Sequence, residues 1–195
     1  MIRRATVLDV PDFGKIINEC AEYGLMLHRS MAFLYEHVRE FQVAEDEQTG
    51  QVCGVCGLSI VWANMAEIYS LAIAPAHRGR GLGKTLVRAC IEDARALSVR
   101  KLMALTYEKR FFESLGFNVV DRQQLPLKVW NECIRCSKNQ ACDEIAMIRE
   151  LTDVPDVSAP PPTSPRADQY VVPTVTRTPT RVAPDGRRQK MNEAP

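Results

Sequence analysis

The chain has 195 residues, 46% of them apolar, enough to fill the core of one ordinary domain and leave an appendage. A net charge of +1 gives no overall pull toward nucleic acid or a membrane surface, and no run approaches the roughly 20 apolar residues of a spanning helix. Seven cysteines, an odd number, with no apolar leader behind the first arginines, read as reduced thiols in a cytoplasmic protein.

Residues 1–151 carry the periodicities of packed elements. "IRRAT" (2–6) reads as a short strand. Asp9 can cap a helix with Pro11 in its first turn, which sets Phe13, Ile16, Ile17 and Cys20 on one face and stops at Gly24. A second helix is expected over 31–38. "FQVAED" (41–46), "QVCGVCGLSIVW" (51–62) and "AEIYSLAIAP" (66–75) read as consecutive strands, the first two joined by the turn "EQTG" (47–50). A glycine-rich turn, "AHRGRGLGKT" (76–85), then leads into the helical run 86–98. Beyond it come a strand (101–105), a short helix (109–114), a strand (116–120), a helix (127–135) and a last strand (143–151). Strands interspersed with helices around one mostly antiparallel sheet make an α+β, or mixed α/β, domain. From Thr152 the composition turns to Pro, Thr, Arg and Ala without a period, so 152–195 is expected to be a disordered tail.

A glycine turn between a strand and a helix suits a phosphate, because the first backbone N–H groups of a helix have no intrahelical partner. A nucleoside-triphosphate loop needs G-x-x-x-x-G-K-[ST], and its first glycine would fall at Arg78. The dinucleotide fingerprint G-x-G-x-x-G fails as well, since Gly79, Gly81 and Gly83 are spaced two and two. What remains is R-x-x-G-x-G over Arg78, Gly79, Arg80, Gly81, Leu82 and Gly83. There the glycines admit close backbone approach, and Arg78, Arg80 and Lys84 add positive charge.

That loop resembles the coenzyme-A loop of the GNAT N-acetyltransferase superfamily. The resemblance implies acetyl-CoA as co-substrate and a splayed strand before the loop, in which the main chain of Leu71, Ala72 and Ile73 faces the acetyl and pantetheine units. A main-chain donor aimed at a thioester oxygen is worth about 3 kcal/mol in the transition state.

Within the superfamily, "IRRAT" (2–6), "GLMLHRS" (24–30), "EIYSLAIAPAHRGRGLG" (67–83), "KLMALTYEKRFFESLGF" (101–117) and "LPLKVWNECIRCSK" (125–138) resemble the acetyltransferase domain of short-form bacterial N-acetylglutamate synthases. The resemblance implies acetylation of the α-amine of L-glutamate, the first step of arginine biosynthesis. It makes Glu67 the base that frees the amine, and Arg29 and Arg135 the forks for the substrate carboxylates, with Ser70 beside them. Long forms often have cysteine at the Ser70 position. The proton for the leaving thiolate is less settled. Many relatives use a tyrosine where this chain has Phe112, and long synthases a serine where it has Glu108, so Glu108 or the adjacent Tyr107 is the candidate donor. Long synthases also carry a kinase-like domain before the transferase. None precedes it in this sequence, so arginine feedback through such a domain is not expected.

Cys53-x-x-Cys56 and Cys133-x-x-Cys136 have the spacing of a zinc site, but residues i and i+3 of a strand face opposite sides, so no metal is expected. The partner is a small molecule rather than nucleic acid or membrane, and a homo-oligomer is left open. Two other readings compete. One is acetylation of another amine, such as glutamine or a protein terminus. The other is a CoA-sensing module without catalysis.

Overall fold

A computed structural model describes residues 1–126 and 143–156, together with the backbone of Thr180–Val182 and Arg188–Lys190. The expected helix over 127–135, with Arg135, lies outside the described residues, as do Cys133 and Cys136. The chain separates into two compact units, Met1–Thr163 and Ser164–Pro195.

In the first unit, alternating strands assemble a seven-stranded sheet. In chain order these are β1 (Ile2–Arg4), β2 (Phe41–Glu45), β3 (Val52–Trp62), β4 (Met65–Ile73), β5 (Lys101–Thr106), β6 (Asn118–Val119) and β7 (Ile145–Glu150). Their spatial order is β1-β2-β3-β4-β5-β7-β6, and every pairing is antiparallel except β4 with β5. That one parallel step follows from the connection. The chain crosses back through a 15-residue helix, α3 (Leu82–Ala96), which returns it to the same end of the sheet. The fold is the expected α+β arrangement. In the second unit, within the tail expected to lack regular structure, β8 (Thr180–Val182) and β9 (Arg188–Lys190) pair antiparallel.

Helices cover the two faces. α3 turns Leu86, Val87, Cys90, Ile91 and Ala94 inward at helical spacing, and these pack on Leu58, Ile68, Leu102 and Ala104 of the sheet. On the other face α1 (Val10–Glu22) buries Val10, Phe13, Ile16, Ile17 and Cys20. With Leu34 of α2 (Met31–Glu36), they pack against Phe41, Val43, Val55 and Tyr69. A further short helix, α4 (Lys109–Glu113), follows β5.

Two expectations change. Asp9 is the residue before α1, but its side chain makes no helix cap. The carboxylate instead accepts from Thr6 N at 2.7 Å and from both terminal nitrogens of Arg3 at 2.7 Å, closing the 3-10 turn Val7–Asp9 against β1. A charged fork offers it more than one helix N–H would. Cys53 and Cys56 also fail to face opposite sides. The β2–β3 register slips between Ala44 and Glu45, leaving Cys53 without a partner position, and both thiols enter the same core cluster as Cys90. A bulge resets strand alternation, which spacing alone does not reveal.

Candidate active site

The glycine turn forms as expected. After β4 a 3-10 turn, Pro75–His77, leads to Gly79 and Gly81, both left-handed with φ of 76° and 81°. Nothing lies within 4 Å of where a Cβ would stand on either, so the turn is open outward. Gly81 is the N-cap of α3, no side chain caps it, and Thr85 N reaches back to Gly81 O at 3.2 Å. The N–H groups of the first turn, Leu82 to Lys84, thus have no intrahelical acceptor, and they stand at the positive end of a 15-residue dipole. Arg80 is exposed and Lys84 half-buried. Arg78 differs from expectation, because its guanidinium turns back, Nε donating to Ile73 O at 3.1 Å and Nη2 to Cys20 Sγ at 3.6 Å.

The strand before the loop parts from its neighbour. β4 and β5 share only three partner positions, Met65 with Lys101, Ala66 with Leu102 and Glu67 with Met103. Beyond them β4 continues to Ile73 alongside β3 alone, while β5 continues to Thr106 alongside β7. Among the described residues, the main chain from Ile68 to Ile73 has no β5 partner on that side. β4 also bulges there. Between the Val55–Ala72 and Gly57–Tyr69 pairs, one residue of β3, Cys56, faces two of β4, Ser70 and Leu71. Ser70 sits in this bulge with φ of 49°, a conformation costly for a non-glycine residue. The bulge and the parting together leave this side of β4 without a β5 partner as far as the glycine turn.

At the closed vertex of the cleft stands Glu67, half-buried, and it lines a cavity of about 350 Å³ together with Arg29. Phe33, His37, Arg39, Glu40, Ser59 and Tyr69 contribute further wall. Arg29 comes from the loop between α1 and α2, and that loop is pinned. Asn18 on α1 donates to Arg29 O at 3.0 Å and accepts from Arg29 N at 2.9 Å. The Arg29 guanidinium lies 4.6 Å from the Phe33 ring centroid and 5.4 Å from that of Tyr69, so two aromatic faces hold it by cation–π attraction. Tyr69 is fixed in turn, donating its hydroxyl to Glu40 Oε2 at 2.8 Å. Burial, reinforced by Glu40, pushes its phenol far above the ordinary range, so it stays protonated. Its ring lies over Gly57, where any Cβ would run into it.

Two of the expected site residues, Arg29 and Glu67, therefore meet in one cavity. Tyr107 and Glu108 stand elsewhere, at the open end of the cleft after β5. Thr106 is three residues beyond Met103, so they begin roughly 10 Å along the strand from the vertex. Glu108 is exposed and precedes α4, its N–H donating to Thr106 Oγ1 at 2.9 Å. Sequence reasoning missed Phe33, Tyr69, Glu40 and Asn18. Tyr69 was within reach, since it is two residues from Glu67 and a strand puts both on one face. Among the described residues no group of three or more His, Cys, Asp or Glu could hold a metal ion.

Residues 10–117 match the model of the acetyltransferase (GNAT) family. The chain belongs to this family. An uncharacterized N-acetyltransferase of Chlorobaculum tepidum is 35% identical over 150 residues, spanning 77% of this chain and 96% of the relative. The amino-acid acetyltransferase of Mycobacterium tuberculosis is 32% identical over 136 residues, 69% of this chain and 78% of the relative. Among solved structures, N-acetylglutamate synthase from Neisseria gonorrhoeae, complexed with coenzyme A and N-acetyl-glutamate, has a TM-score of 0.69 at 27% identity. The likeness covers 77% of this chain and 35% of that one. A Mycobacterium tuberculosis protein in complex with CoA gives the same TM-score at 28% identity, covering 77% of this chain and 99% of its own. As a GNAT acetyltransferase the chain is an acyltransferase, and acetyl-CoA is its co-substrate. The open glycine turn, the uncapped helix start and the parted strands fit a diphosphate and its extended thioester arm.

Proposed function

We propose that this GNAT enzyme acetylates the α-amine of L-glutamate in a ternary complex, the first step of arginine biosynthesis, in the cytoplasm. The observation that carries the reading is that Arg29 shares one cavity with Glu67, the last β4 residue in register with β5.

In this reading the amides from Gly79 to Lys84 hold the diphosphate, and Arg80 and Lys84 add charge. Leu71, Ala72 and Ile73 offer main-chain groups along the cleft, with Ser70 in the bulge beside the acceptor. The co-substrate supplies an activated acetyl group. Glu67 takes a proton from the substrate ammonium, directly or through water, because only the neutral amine is a nucleophile. Arg29 grips a substrate carboxylate while its guanidinium rests on Phe33 and Tyr69. Arg135 is the second fork. The neutral amine attacks the thioester carbonyl and forms the C–N bond. The C–S bond then breaks, the nitrogen gives up its second proton to water, and Tyr107 or Glu108 donates a proton to the departing thiolate. The names of the relatives, amino-acid acetyltransferase and N-acetylglutamate synthase, support an amino acid as acceptor.

One observation favours a second acceptor. The cavity carries Glu40 and Glu67 as well as Arg29 and Arg39, a balance that also suits an uncharged side chain such as that of glutamine. Initial rates of thiol release from acetyl-CoA over a panel of glutamate, glutamine, lysine and a polyamine decide the matter. The reading expects the highest kcat/KM with glutamate, and a panel led by lysine or the polyamine overturns it.

A further inference from the structure

The glycine turn has no side chain packed on its outer face, so its shape depends on what holds the segment before it. That segment is tied at three points. Ala74 N donates to Cys53 O at 2.9 Å, Arg78 binds Ile73 O and Cys20 as above, and the His77 imidazole reaches across to the β2–β3 hairpin. There His77 Nε2 lies 3.0 Å from Asp46 Oδ2. The other oxygen, Oδ1, is already committed, accepting from Gln48 N and Thr49 N at 3.0 Å and Thr49 Oγ1 at 3.1 Å. Asp46 is thus a rigid post set by the hairpin turn, with one oxygen left for the loop. Both side chains are largely sheltered, at 24% and 19% exposure, so water competes poorly for the contact.

From this geometry we propose that His77 and Asp46 are positioning residues for the diphosphate loop, clasping the 3-10 turn Pro75–His77 to the β2–β3 hairpin so that the amides after Gly79 are held ready for the ligand. His77 is the last residue before the R-x-x-G-x-G run, and Asp46 lies 31 positions earlier. Neither touches the diphosphate in this account. Their contribution is preorganisation: without the clasp, ligand binding must itself order a turn whose two glycines are free to leave the left-handed region.

The inference rests on the loop being the acetyl-CoA site, and the test separates the two. CoA is titrated calorimetrically into the wild type, His77→Ala, His77→Gln, Asp46→Asn and the His77→Ala/Asp46→Asn double variant, each first shown to melt cooperatively. Asp46→Asn keeps an oxygen for the hairpin turn but sets an amide against His77, and His77→Gln keeps a donor that can span to Asp46. We expect His77→Ala and Asp46→Asn each to weaken CoA binding by about three- to tenfold, the double to lose no more than either single, and His77→Gln to recover most of the loss. The loss should appear in KM for acetyl-CoA and vanish from rates at saturating acetyl-CoA. Unaltered CoA affinity in His77→Ala, additive losses in the double, or a defect in the amino-acid KM instead would overturn the clasp. A wild type that binds no CoA would overturn the loop reading itself.

Discussion

Glu67 and Met103 are the last residues in register between β4 and β5, and the cleft of this enzyme starts at that pair. A parallel pairing that stops after three positions leaves a strand with free main-chain groups on one side. The carboxylate that closes the pairing is then also the one nearest the start of the opening. With Glu67 as the base, Glu67→Gln should lower kcat about 10²- to 10⁴-fold, the usual worth of a placed general base. KM for acetyl-CoA should barely move. Steady-state kinetics check this. A kcat within twofold of wild type would remove Glu67 from the chemistry.

Arg29 is held by Asn18 through its backbone and by Phe33 and Tyr69 through its guanidinium faces. With Arg29 as the proposed fork, its removal should cost a carboxylate contact, about 1.5–3 kcal/mol for a hydrogen bond to a charged group, or roughly 10- to 150-fold in amino-acid KM. Arg29→Ala should show that increase with CoA affinity intact. Gly57→Ala should raise the same KM more mildly, because its new methyl displaces the Tyr69 ring on which the guanidinium rests. Substrate titrations at saturating acetyl-CoA measure both.

The loop and the cavity differ in how far the sequence announces them. Gly79, Gly81 and Gly83 with their flanking cations form a local signal, because the same short segment makes the turn and starts the helix. The cavity is built from distant pieces, among them the α1–α2 loop, α2 and the turn after it, and strands β3 and β4, so a single sequence shows Arg29 and Glu67 only through resemblance. Their supports, Phe33 and Tyr69, look like ordinary core aromatics. The β4 bulge at Ser70 and the β3 slip at Cys53 are invisible because neither falls on a glycine or proline. Capping is a local rule, so the sequence offers Asp9 as a helix cap, whereas Arg3, which takes its carboxylate, is brought there by strand pairing.

Gly81→Ala tests the loop by conformation alone. No atom lies near the new methyl, but φ of 81° costs an alanine roughly 1–2 kcal/mol. The protein should remain folded, with CoA affinity reduced about 5- to 30-fold and the amino-acid KM little altered. Calorimetry with CoA reads the first effect, and steady-state kinetics the second.

Acid should loosen the fold through two carboxylates. Arg3, then Thr6, holds the buried Asp9 carboxyl far below its ordinary 3.8. The Thr49 N–H, then His77 and the Gln48 N–H, bring Asp46 down to about 2. Both groups stay ionised in the folded protein at pH values where the unfolded chain takes up a proton. Their stabilisation is therefore complete above about pH 4 and is lost as pH falls toward 2 and below. Thermal melts should show Tm falling across that window. Asp9→Asn should lower Tm at neutral pH and make its acid dependence shallower.

The most direct measurement follows the acetyl group itself. Acetyl-CoA labelled in its acetyl carbons is incubated with the protein and an equimolar mixture of glutamate, lysine and a polyamine, and the products are identified by mass spectrometry. Label should appear on the α-nitrogen of glutamate, with one CoA thiol released for each acetyl transferred. Label confined to lysine or the polyamine, or no label on any amine from a protein that binds CoA, would contradict it.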